Sequence, residues 1–191
     1  MKIIKLLSEC LPILFWILAV FGFEKGNTAV YTVISALIHE IGHISVLLLL
    51  KKKAALPKGH LSGFRILVEG LSYRDDLAVS LSGPLFNVIL FVLCFLFECN
   101  RELGYISLIT ALSNLLPVKG YDGYRALYAL ISLLSLKADK LLRLLSALSF
   151  FTVCVFLFLS LYLLLRAGEG YWIYGVFLYS LIEIMKNDEY D

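Results

Sequence analysis

Apolar residues in this chain fall in long runs, not in the narrow stripe of a surface helix. The runs cover residues 6–23, 28–50, 76–97, 103–118, 141–165 and 171–185. About 20 apolar residues in a helix cross a hydrocarbon layer of about 30 Å. The pattern therefore predicts an all-α polytopic membrane protein with about six transmembrane helices. The fourth run is short and enters Pro117-Val118-Lys119-Gly120-Tyr121-Asp122-Gly123, where proline, glycine and charge combine to end a helix. A broken fourth helix is expected there, followed by a second helical stretch over 123–136. Between the second and third runs, at 61–70, the periodicity changes to two: Phe64, Ile66 and Val68 share one face, and Arg65, Leu67 and Glu69 the other. That alternation, flanked by glycines, predicts a short strand or hairpin. Bare strand edges are not tolerated against lipid, so this piece must be covered, line a wet cavity or lie at the surface.

Composition agrees with the pattern. The chain is 60% hydrophobic and 17% charged, with a mean hydropathy of +0.87, whereas soluble domains carry about 25% charged residues. Residues 1–20 carry lysines and an apolar stretch, as a signal peptide does, but the apolar run continues through Phe23 without a convincing cleavage site. It is expected to be a retained first span. Cys10, Cys94, Cys99 and Cys154 show no C-x-x-C spacing, which argues against a disulfide framework or a cysteine metal site. No linker, repeat or low-complexity tract divides residues 1–191, which read as one membrane-embedded domain.

The net charge of +2 says less than its placement. With a cytoplasmic N-terminus and six crossings, the inner side receives fourteen of the seventeen lysines and arginines, and the outer side only Lys25, Arg101 and Arg166. The positive-inside rule then places both termini in the cytoplasm.

The second run contains His39-Glu40-Ile41-Gly42-His43, an H-E-x-x-H on a helix. Residues four apart lie one above the other on a helical face, so two imidazoles can reach one metal ion. Glu40 sits about 100° round from His39, placed to engage a metal-side water without becoming a ligand. Ionisable groups inside a span are costly and usually functional.

Catalytic zinc takes three protein ligands and keeps one position open. His60, the third histidine, follows a lysine run and reads better as a solvated residue. Asp122 is the better candidate. His43 lies about 12 Å from the inner end of its helix, and the fourth run breaks about 22 Å after entering from outside, which leaves Asp122 at a comparable depth. Asp-Gly is also a common turn pair, so spacing alone leaves ligand and turn residue both open. Asn114, on the same broken segment, can act as helix glue or donate a hydrogen bond to a developing oxyanion. Asn87 reads as a packing residue, with Ser80, Ser82 and Gly83 permitting close helix approach.

Taken together, His39-Glu40-Ile41-Gly42-His43, Leu81-Ser82-Gly83-Pro84-Leu85-Phe86-Asn87, Asn114-Leu115-Leu116-Pro117 and Asp122-Gly123-Tyr124-Arg125 resemble the site-2 protease family of intramembrane zinc metalloproteases. Within it the likeness is to compact bacterial members related to the stage IV sporulation protease. The motifs cover residues 35–130 in the family's order. The resemblance implies that His39, His43 and Asp122 hold one zinc ion, that Glu40 is the catalytic glutamate, and that Asn114 works near the site. It also implies a transmembrane protein substrate, no nucleic acid, and a bacterial cell membrane with the active site toward the cytoplasm. Where the family commonly shows Leu-Asp-Gly-Gly, this chain has Tyr121-Asp122-Gly123-Tyr124, which keeps the ligand but alters its packing. No PDZ or CBS appendage fits the length, so regulation is expected to come from a membrane partner or from trimming of the substrate. The rival reading is an inactive zinc-binding scaffold or partner-binding homologue. A metal transporter fits less well, since one cluster does not make a path across the bilayer.

Overall fold

The computed structural model describes residues 20–22, 26–52, 58–60, 63–65, 71–134, 138–167 and 171–187. After a helical stretch at 20–22 come α1 (Asn27–Leu49), β1 (Lys58–His60), β2 (Gly63–Arg65), α2 (Tyr73–Leu96), α3 (Arg101–Asn114), α4 (Asp122–Leu134), α5 (Ala138–Ala167) and α6 (Tyr171–Asn187).

Local chemistry sets most of these boundaries. Helix α1 ends where the lysine run begins: Lys51 turns left-handed (φ 54°), and the Lys51 and Lys52 amides donate back to the Leu48 and Leu47 carbonyls. This two-bond closure satisfies carbonyls that would otherwise be orphaned. Helix α2 starts on Ser72, whose side chain accepts from the Asp75 amide, with Asp75 and Asp76 in the positive first turn. It ends as α1 does, with Glu98 left-handed (φ 49°) and Cys99 donating to the Cys94 carbonyl. Asn100 then caps α3 by accepting from the Leu103 amide at 3.0 Å.

Helix α2 is the organising element. It packs against α1, α3 and α4, while α5 packs against α4 and α6. Polarity runs opposite to that of a soluble core. Ser35, Ser80, Ser107, Ser149 and Asn87 are fully or almost fully buried, whereas Leu49 (79% exposed) and Phe158 (75%) face outward with many other large apolar side chains. Small and hydrogen-bonding residues inside, with leucine and phenylalanine outside, are what helix packing in lipid requires. Ser35 Oγ donates to Thr110 Oγ1 (2.9 Å) and Ser107 Oγ to the Asn87 carbonyl (3.0 Å), joining α1 and α2 to α3.

Two expectations meet the described residues only in part. Among the described residues, three helical stretches are long and apolar enough to cross a membrane: Asn27–Leu49, Tyr73–Leu96 and Asp139–Arg166. The expected first span at 6–23 lies outside the described residues except for 20–22. Helix α3 has 14 residues, about 21 Å at 1.5 Å per residue, and so falls short of a full crossing. It stops at Asn114, earlier than the apolar run through 118 suggested, because Leu115–Tyr121 turn back and seat Asp122 at the start of α4. Helix α6, with 17 residues, is also shorter than a typical span. Between α1 and α2, β1 and β2 pair antiparallel with Gly59 opposite Phe64. That pairing begins before the 61–70 stretch read from the sequence, and 66–70 lie outside the described residues.

Candidate metal centre

His39 and His43, one turn apart on α1, point their Nε2 atoms at the carboxylate of Asp122, the first residue of α4. Asp122 Oδ2 lies 2.8 Å from His39 Nε2 and 3.1 Å from His43 Nε2, and the two nitrogens are 3.1 Å apart. The rings meet edge to face, which lets both nitrogens converge on one point. All three residues are buried, at 5%, 6% and 8% exposure.

These donors suit a metal ion. Zinc bound at about 2.0–2.1 Å in a tetrahedron separates neighbouring ligand atoms by about 3.3 Å. The observed triangle, with sides of 2.8, 3.1 and 3.1 Å, is within about half an ångström of that. Two imidazoles and one carboxylate also match the three-ligand set of catalytic zinc. Glu40, next to His39, completes the picture. Its Oε2 is buried without a hydrogen-bond partner. An unsatisfied buried acceptor costs about 1–3 kcal/mol, so its retention points to a use.

Three glycines make the convergence possible. A Cβ on Gly42 would lie 2.7 Å from the Ser82 carbonyl oxygen, so α1 and α2 meet backbone to backbone. A Cβ on Gly83 would sit 2.5 Å from His43 Nε2 and 2.8 Å from His39 Cε1, so α2 forms a wall against both rings. At Gly123 the Cβ would collide with the Leu115 carbonyl, so the first turn of α4 tucks under the end of α3. Behind the Leu115–Tyr121 turn, Val118 is fully buried against Val153 and Ile184, and the Lys119 amide donates to Ser149 Oγ (2.7 Å). Tyr124 meets Ser146 (3.1 Å) on α5, and Arg125 pairs with Asp76 on α2. That ion pair is partly exposed and is worth about 0–1 kcal/mol; it orients α4 more than it stabilises it.

The Gly83 wall yields a direct expectation. Gly83→Ala should displace the imidazoles, cost about 1–3 kcal/mol by overpacking and weaken metal binding. Thermal melts and chelator competition on the purified protein measure both. Wild-type values in both would mean that the wall is slack.

The rings are also held from behind. His43 Nδ1 lies 2.8 Å from the Val79 carbonyl oxygen, to which Ser82 Oγ also donates at 2.6 Å. Asn87 Nδ2 lies 3.4 Å from His39 Nδ1. The sequence suggested only packing for Ser82 and Asn87; that both face the histidines emerges when α2 is laid along α1. Their positions on the Gly83 side of α2 are the one hint that the sequence carried. Asn114 is placed differently from the other site candidates: its amide donates to the Thr110 carbonyl of its own helix at 3.0 Å. The side chain of His60 lies outside what the structure describes.

No protein-family model matches the chain, and no curated protein matches it. Among solved structures it is similar to the Site-2 Protease from Methanocaldococcus jannaschii, with a TM-score of 0.59 over 92% of this chain and 87% of that one, at 18% identity. An identity this low speaks for architecture alone. With its apolar helices, this chain is a membrane protein with the fold of a site-2 protease.

Proposed function

We propose that this protein is an intramembrane zinc metalloprotease of the site-2 family, cleaving a peptide bond in or near a transmembrane segment of a membrane-protein substrate. One observation carries the reading: His39, His43 and Asp122 converge within 3.1 Å of one another in a buried site, beside Glu40 with its buried, unpartnered Oε2, in this fold.

His39 Nε2, His43 Nε2 and an Asp122 oxygen would hold the ion, leaving a fourth position open. Bound zinc supplies Lewis acidity, which makes water nucleophilic near neutral pH and polarises a carbonyl. Glu40 takes a proton from the attacking water and returns it to the leaving amine. Asp122 lowers the net charge of the loaded site by one. It also sits at the first turn of α4, where the helix dipole favours an anion. Gly83 and the buried face of α2 keep the rings from swinging away.

The charge distribution supports a cytoplasmic-side site. Lys52 pairs with Asp75 and Arg125 with Asp76, so basic residues cluster where α1 ends and α2 and α4 begin, the end nearest Asp122. Water and substrate would enter there. A helical substrate presents no free carbonyl, so it must unwind locally. The β1–β2 hairpin offers strand edges on which an extended segment could be added. Asn114 would contact substrate only after giving up its bond to Thr110. Regulation would rest with a membrane partner.

The test is co-expression of wild type and Glu40→Gln in the same cells, with comparison of single-pass membrane-protein fragments. Fragments present only with wild type support proteolysis. Zinc-loaded protein with no such difference would favour the scaffold reading.

A further inference from the structure

Asn87 is fully buried on α2, one turn beyond the Gly83 wall. Its backbone carbonyl is tied to α3 by Ser107. Its side-chain nitrogen faces His39 Nδ1 at 3.4 Å, and its side-chain oxygen has no hydrogen-bond partner. A packing residue in lipid needs no carboxamide: an apolar side chain of the same branching, such as leucine, leaves no polar atom unmet.

The two ends of an asparagine amide have nearly the same shape, and which end faces a neighbour is settled by hydrogen-bond chemistry. Turned by 180°, the amide presents its unpartnered oxygen to His39 Nδ1. A neutral imidazole that donates from Nδ1 keeps its lone pair on Nε2, the atom that faces Asp122 and His43. The opposite amide orientation needs a lone pair on Nδ1 and so a proton on Nε2, which blocks that nitrogen as a ligand. His43 already has an arrangement of the first kind, since the Val79 carbonyl oxygen, 2.8 Å away, can only accept from its Nδ1. A carbonyl behind each ring would thus commit both Nε2 atoms to one point.

We infer that Asn87 is a positioning residue of the metal centre, its side-chain oxygen accepting from His39 Nδ1–H and so holding His39 in the tautomer that offers Nε2. The inference rests on the metal-site reading above and assigns α2 the same task at both histidines, through a main-chain oxygen at Val79 and a side-chain oxygen at Asn87. The 3.4 Å separation is at the long end of the hydrogen-bond range.

The experiment uses the full chain in detergent. Zn²⁺ affinity is read by chelator competition, and Co²⁺ alone serves as a spectroscopic probe of ligand geometry. Loss of a partner behind a ligating histidine typically costs about 10–100-fold in affinity. Asn87→Leu should weaken Zn²⁺ binding by that factor and alter the Co²⁺ visible bands. Asn87→Asp, which can only accept from Nδ1–H, should restore most of the affinity. A purely structural role predicts no rescue by aspartate, since a buried carboxylate without a donor facing it is harmful. Leucine equal to wild type, or aspartate weaker than leucine, overturns the inference. If Asn87→Leu does not fold, the aspartate variant decides: affinity within a few-fold of wild type supports the role, and a larger loss overturns it. Parallel His39→Ala measurements separate the two levels. If they match a metal-binding wild type, the metal-site reading fails, and the inference fails with it.

Discussion

Glu40→Gln should leave zinc in place and stop cleavage. The substitution preserves the shape of the side chain and removes only its ability to take and return a proton. Glu40 is not one of the converging atoms, which belong to His39, His43 and Asp122. General acid–base catalysis contributes about 10²–10⁴-fold, equivalent to about 3–5 kcal/mol of barrier. The turnover of a reconstituted substrate should therefore fall by at least two orders of magnitude at unchanged zinc content. Oε2 is buried and unpartnered, so the amide also removes an ionisable group from a site that does not solvate it, and the variant should melt no lower than wild type. Cleavage at the wild-type rate would end the proposed mechanism. Loss of zinc together with activity would instead show Glu40 shaping the ligand set.

Asp122→Ala should empty the site. Its Oδ2 faces both imidazoles and brings negative charge to them. Loss of a ligand should exceed the roughly 10–100-fold cost of losing a partner behind one, so zinc retention through a chelating column should fall to background. Stability should drop as well. The two buried imidazoles would lose the carboxylate they face and, with it, the ion all three would share, so the stabilisation that bound metal gives the folded state is lost. The first turn of α4 would also lose an acidic residue worth about 0.3–1 kcal/mol. Zinc titration well below the melting temperature separates the two effects. Were Asp122 a turn residue and nothing more, the alanine variant would melt lower and still hold its metal.

The elements were legible to different degrees for physical reasons. The long apolar runs of α1, α2 and α5 announced helices because hydrophobic length is a one-dimensional property. The end of the fourth run was not legible in the same way. Leucines at 115 and 116 continue its apolar character, but the chain there is a turn whose buried residue, Val118, packs on α5 and α6. Hydrophobicity records burial and is blind to whether a buried residue is helical. At the site, the pairing of His39 with His43 was written in their spacing. Asp122 stayed ambiguous between ligand and turn residue on spacing alone, since 79 residues separate it from His43. Asn87 and Ser82 read as packing residues because their nearness to Gly83 along α2 does not by itself say that this face meets the rings.

What the sequence determined by itself is everything that follows from neighbours along one helix: the membrane character, the two imidazoles on one face of α1, and the glutamate set beside them. What only the tertiary structure decided is the meeting of α1, α2 and α4. That meeting depends on three backbone approaches too close for a Cβ, at Gly42, Gly83 and Gly123. Helical geometry is periodic and can be read from residue order. A contact that hinges on tenths of an ångström between segments far apart in the chain exists only once those segments have packed.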